Sequence, residues 1–157
     1  MAERNRIATS LLVLSVLALS GCGGSSKPAP IRTPPRTIVD VTLQDFAVAP
    51  ARNSAPAGLM SFQPRNKGPK HKHEFVLVKT SLAADKLPVK ANGAVDEESS
   101  KLTLVGKIEG IPVGSTGART FTLAAGSYVL FCNIVEKKGS TTFVHYKLGM
   151  RAGFTVN

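Results

Sequence analysis

Residues 126–156 read GSYVLFCNIVEKKGSTTFVHYKLGMRAGFTV, and this stretch decides the fold. Side chains alternate along an extended chain, so Tyr128, Leu130 and Cys132 share one face while Val129 and Phe131 share the other. Both faces are apolar. The spacing therefore predicts a strand at the centre of a sheet, with Cys132 at its end and facing inward. His145 and Met150 follow, with Gly149 beside the methionine. A thiolate, an imidazole and a thioether are soft or borderline donors, and together they suit copper better than magnesium or calcium.

A fourth donor must come from elsewhere, and the chain has only three histidines: His71, His73 and His145. Two of them close the run Asn66-Lys67-Gly68-Pro69-Lys70-His71-Lys72-His73, just ahead of the β-branched segment Glu74–Lys79. A loop entering a buried strand aims a ligand well, because the strand holds the backbone that carries it. His73 abuts the strand and is the better candidate. His71 lies one pleat repeat away, about 6.5–7 Å, and remains an alternative ligand or an exposed neighbour.

Elsewhere the apolar segments are short and separated by glycine and proline. Residues 39–46 alternate apolar and polar, and 59–62, 74–79, 102–105, 118–123, 127–133 and 152–156 read as further strands. Residues 81–87, before Pro88, fit a turn or two of helix with Ser81 as its N-cap. Many short strands and at most one short helix predict an all-β sandwich or small barrel.

The chain resembles the cupredoxin family of plastocyanin, azurin and sulfocyanin. The resemblance rests on Asn66-x-Gly68 with His73 at a strand start, on Gly126-Ser-Tyr128-x-x-x-Cys132, and on His145-x-x-x-x-Met150 preceded by Gly149. It spans most of residues 38–157 and implies a Greek-key β-sandwich or barrel holding one type 1 copper ion. Cys132, His73 and His145 would be the equatorial ligands and Met150 the weak axial one. Two departures bear on the reduction potential. Twelve residues, Asn133 to Val144, separate the cysteine from the second histidine, where many members have only a few. Gly139-Ser140-Thr141-Thr142 suits an outward hairpin that leaves the ligands in place. The residue after the first histidine is Glu74, where asparagine is common; its backbone N–H can still reach the thiolate.

The N-terminus reads as an export signal. A cationic start is followed by a mostly apolar run, Ile7–Leu19, shorter than the 20 or so residues of a membrane helix. Leu19-Ser20-Gly21-Cys22 resembles a bacterial lipobox, which makes 1–21 a lipoprotein signal peptide and Cys22 the lipidation site. Residues 22–37 are rich in Gly, Ser and Pro and form a tether, leaving 38–157 as one domain. The expected location is the cell envelope, with the domain anchored by lipid to a membrane and facing the periplasm or the exterior. Exported proteins usually pair their cysteines. With Cys22 lipidated, Cys132 has no partner, and a metal would account for a lone thiol in an oxidising space.

The formal charge is +10. No nucleic-acid motif accompanies it. Arg65, Lys67, Lys70 and Lys72 precede His73, and Lys137, Lys138, Lys147 and Arg151 flank the later ligands. They form either a solvated basic face or a collar that steers acidic redox partners. Phe143, Val144 and Leu148 beside His145 suggest an apolar contact patch, with that imidazole as the electron port. The leading function is a one-electron carrier. Two others stand beside it: copper delivery or sequestration on the same residues, and a metal-free sandwich that binds other proteins. An enzyme is disfavoured, since a multicopper cluster needs more histidines and a binuclear centre needs a second cysteine.

Overall fold

The computed structural model describes residues 35–157. The signal segment 1–21, Cys22 and most of the tether lie outside the described residues. The described residues form two large β-sheets and a separate two-stranded one, and the expected all-β sandwich is borne out. The first sheet has the order β2-β1-β4-β7, from β1 (Thr37–Gln44), β2 (Ala47–Pro50), β4 (Gly58–Asn66) and β7 (Arg119–Leu123). The second has the order β3-β11-β8-β5-β6, from β3 (Ser54–Ala55), β5 (His73–Lys79), β6 (Thr103–Ile111), β8 (Gly126–Phe131) and β11 (Arg151–Val156). β1 and β4 run parallel, as do β11 and β3; the remaining pairs are antiparallel.

β8 is central, with β11 on one side and β5 on the other. Its two faces feed two apolar layers. Tyr128, Leu130 and Cys132 join Phe62, Phe75, Leu77 and Phe154 between the sheets. Val129 and Phe131 join Val76, Val78, Leu87, Val95, Leu102 and Tyr146 on the outside of the second sheet. Phe62 sits among Phe75, Phe121 and Phe154, with ring centroids 5.3–6.2 Å apart. Each such fully buried side chain contributes about 1.5–3 kcal/mol.

Residues 81–87 are not helical. The segment forms turns, and Thr80 rather than Ser81 organises it, its Oγ1 accepting the Leu82 N–H at 3.2 Å and donating to Lys101 O at 3.0 Å. Leu87 packs in the outer layer, so tertiary burial overrides the weak helical propensity of so short a run. β6 runs well beyond the expected 102–105. Gly106, Glu109 and Gly110 break its apolar pattern, but pairing with β5 carries it through. The insertion folds as a hairpin of β9 (Val135–Lys138) and β10 (Thr141–Val144), turned at Gly139-Ser140 with Gly139 at φ 60°.

A single helical turn, α1 (His145–Leu148), follows β10. The His145 N–H bonds Ile134 O at 3.0 Å, so the two ends of the hairpin meet. The twelve inserted residues therefore leave and rejoin the chain at nearly one point. Tyr146 points to the outer layer, donating to Ala84 O at 2.8 Å and accepting the Leu87 N–H at 3.0 Å. This anchors the turn and sends its neighbour His145 inward.

Candidate metal centre

Three donor atoms meet between the ends of β5 and β8 and the start of α1. His73, Cys132 and His145 are fully buried, and their ligand atoms lie within 4.8 Å of one another. His73 Nδ1 is 3.2 Å from His145 Nδ1, and Cys132 Sγ is 3.4 Å from His145 Nδ1. Met150 is also fully buried and shares the inner core with Cys132. Its backbone ties the other ligands together: the Cys132 N–H donates to Met150 O, and the Met150 N–H to His145 O, both at 3.1 Å. Gly149 is required beside it. At φ 123°, a Cβ there would stand 3.0 Å from Phe46 O.

Both imidazoles point Nδ1 into the cluster and Nε2 at a carboxylate. Asp45 Oδ1 lies 2.9 Å from His73 Nε2, and Glu136 Oε1 lies 3.3 Å from His145 Nε2. A carboxylate acceptor holds the proton on Nε2 and leaves the lone pair on Nδ1. Two inward lone pairs at 3.2 Å repel one another unless a cation lies between them. Donors about 2.0–2.3 Å from one ion sit roughly 3–4 Å apart, the spacing seen here. The donor set fits a soft or borderline metal.

Electrostatics agree. Burial pushes the Cys132 thiol up to about 12, against the opposing backbone N–H groups of Glu74 and Ile134. Burial also pushes His73 and His145 below the ordinary imidazole value, partly offset by Asp45 and Glu136 respectively. Burial raises the Asp45 and Glu136 carboxyls. Hydrogen bonds outweigh it and leave both lowered: Lys70 N–H and His73 for Asp45, His71 and His145 for Glu136. At neutral pH this is a protonated thiol and two neutral imidazoles flanked by two carboxylates.

Glu74 supports the thiol twice. Its N–H lies 3.4 Å from Cys132 Sγ, and its Oε1 accepts the Asn133 N–H at 2.8 Å. Asn66, fully buried, staples the loop that carries His73. It donates to His71 O and Ile111 O, both at 2.9 Å, and accepts the Gly68 N–H at 2.8 Å.

Two expectations are corrected. His145 is not an exposed port, because the hairpin does not bulge outward. It folds back so that Glu136 covers the Nε2 edge, while Phe143 stacks on Phe46 with centroids 6.0 Å apart. Phe46 in turn lies 4.9 Å from His145 and 6.4 Å from His73. Phe143 and Glu136 are cross-strand neighbours on one face of the hairpin and meet Phe46 and His145 there, which holds the hairpin over the centre. His71 is buried, not an exposed neighbour, and stands with Glu136 outside the main cluster. Of the expected collar, Arg65, Lys67, Lys70, Lys72, Lys137, Lys138 and Lys147 are exposed. Arg151 instead donates to Tyr146 O at 2.6 Å and covers its ring. Asp45, Phe46 and Glu136 escaped the sequence reading. Only the fold brings them to the ligands, and no local motif marks them.

No protein-family model and no curated protein sequence matches the chain. The fold is similar to several solved structures. Auracyanin from Roseiflexus castenholzii is 20% identical over 77% of this chain and 97% of that one, with a TM-score of 0.53. Rusticyanin from Thiobacillus ferrooxidans is 18% identical over 78% and 77%, with a TM-score of 0.53. Auracyanin A, a blue copper protein of Chloroflexus aurantiacus, is 19% identical over 78% and 100%, with a TM-score of 0.50.

Proposed function

We propose that this cupredoxin-fold domain is a type 1 copper protein that carries single electrons. The observation behind this reading is the buried His73–Cys132–His145 cluster, with both Nδ1 atoms turned inward and both Nε2 atoms on carboxylates. His73 Nδ1, His145 Nδ1 and Cys132 Sγ would hold the ion, with Met150 as the fourth, weaker donor. Copper bound there would supply the one-electron chemistry of the Cu(II)/Cu(I) couple. The chain's own part is rigidity and dryness. Asp45 and Glu136 hold the ring tautomers, Glu74 holds the cysteine backbone, and Phe46 with Phe143 keeps water from the rings. Such a centre turns over no substrate, so the chain is proposed to be a carrier and not an enzyme.

The rest of the proposal rests on the sequence. A lipoprotein signal and Cys22 would anchor the domain to a membrane in the cell envelope. The exposed lysines near His73 and the hairpin would favour acidic redox partners. The test is to add Cu(II) to the full chain and record visible and electron paramagnetic spectra. An intense thiolate-to-copper band with narrow hyperfine splitting supports the carrier, and Cys132→Ser should abolish the band. A weak tetragonal signal, or binding of Cu(I) alone, would favour copper delivery. No bound copper at all would leave the metal-free reading.

A further inference from the structure

A second cluster of ligand atoms stands on the outward side of His145. His71, Glu136 and His145 each offer one ligand atom, and these lie within 4.8 Å of one another. Glu136 Oε1 is in direct contact with His71 Nδ1 and lies 3.3 Å from His145 Nε2. The inner donors His73, Cys132, His145 and Met150 have no exposed surface, so an ion from solution needs a way in. The Glu136 side chain is 24% exposed and stands at the Nε2 edge of His145. Phe46 and Phe143 flank His71, with centroids 5.0 and 5.2 Å away, and keep it from swinging free.

The place already attracts a cation. Lys138 Nζ lies 3.2 Å from His71 Nδ1 and 4.0 Å from Glu136 Oε1, on a side chain 51% exposed that can withdraw into solvent. Two imidazoles and a carboxylate form a borderline donor set suited to Cu(II) or Zn(II).

We propose that His71, Glu136 and the Nε2 edge of His145 form an outer staging site for Cu(II), through which copper reaches the buried centre. The proposal rests on the copper reading above. A neutral imidazole has one lone pair, so His145 serves one site at a time. At the outer site its proton sits on Nδ1. On transfer, Nδ1 gives up that proton and becomes the donor, Nε2 is protonated again against Glu136, and the Cys132 thiol loses its proton to solvent. The step is ligand exchange without a change in oxidation state. Lys138 refills the vacated outer position. The insertion and the extra histidine thus belong to one device, His71 from the loop before β5 and Glu136 from the hairpin.

Two experiments test this. In the full chain carrying His73→Ala and Cys132→Ala, the outer trio is intact and the inner site is dismantled. It should bind one Cu(II) with a tetragonal nitrogen–oxygen spectrum, more tightly when Lys138→Met is added. Adding His71→Ala should weaken that binding by about 10–100-fold. In the otherwise unaltered chain, His71→Ala should slow the appearance of the thiolate–copper band by about tenfold or more after mixing with Cu(II), with the final amplitude unchanged. An outer signal that survives His71→Ala, or an unchanged loading rate, overturns the proposal while the carrier reading stands. Failure of the unaltered chain to develop the band overturns the carrier reading instead, and the double variant still decides the outer site.

Discussion

Raising the pH should tighten metal binding at Cys132 about tenfold per pH unit above neutrality. Burial carries the thiol to about 12, although the N–H groups of Glu74 and Ile134 pull the other way. At pH 7 roughly one thiol in 10⁵ is then ionised, and displacing the proton costs an incoming ion about 7 kcal/mol of affinity. Burial lowers His73 and His145, so both rings are already neutral and release nothing to solvent. A plot of log affinity against pH should have a slope of one. The assay is anaerobic competition for Cu(I) against a coloured chelator between about pH 7 and 8.5. Cys132→Ser should flatten the line. A slope near zero in the unaltered chain would mean the thiol is already ionised, and a slope of two would put a proton on an inward imidazole nitrogen. Either result refutes the reasoning.

The same groups set the pH dependence of the metal-free fold. Lowered imidazoles contribute stability that is present above their ordinary value of 6.5 and lost as pH falls through their folded values, so urea midpoints should drop between about pH 7 and 5. The raised thiol acts in the opposite sense, its contribution being lost as pH rises from 9.0 through about 12. Asn66→Ala strands His71 O, Ile111 O and the Gly68 N–H, and should cost about 3 kcal/mol in denaturant unfolding. Leu77→Ala, at a fully buried β5 position, should cost about 2–5 kcal/mol and lower Tm.

What could be read from the sequence was the part carried by period and local order. The two-faced apolar run 128–131 placed β8 at the centre, and the neighbouring pair His73–Glu74 placed a ligand beside a strand. The hairpin was legible too, since Gly139-Ser140 between two short runs is a turn signal. Its direction was not. Phe143 finds Phe46 across nearly a hundred residues, and nothing near either one says so. Asp45 looked like the polar end of an alternating strand, yet its carboxylate meets His73 Nε2 at 2.9 Å. The helical turn at 145–148 was missed because four residues carry no period.

The two carboxylates differ, and the difference predicts which one governs the reduction potential. Both sit on the far nitrogen of a ligand and favour the more positive ion, hence Cu(II), which lowers the potential. Glu136 is shared with His71 and has Lys138 Nζ at 4.0 Å, so part of its charge is spent locally. Among the described residues, Asp45 receives only the neutral Lys70 N–H and His73, at 2.9 Å each, and its side chain is 10% exposed. The exposed lysines around the centre act through solvent, screened over about 8 Å at physiological salt. Asp45→Asn keeps the shape and removes the charge. It should raise the potential by on the order of 60 mV, a tenfold change for one electron, and Glu136→Gln should raise it by less. Protein-film voltammetry on the copper-loaded chain reads both. An equal or larger shift for Glu136→Gln would mean that Lys138 does not neutralise Glu136, and the charge ranking would fail.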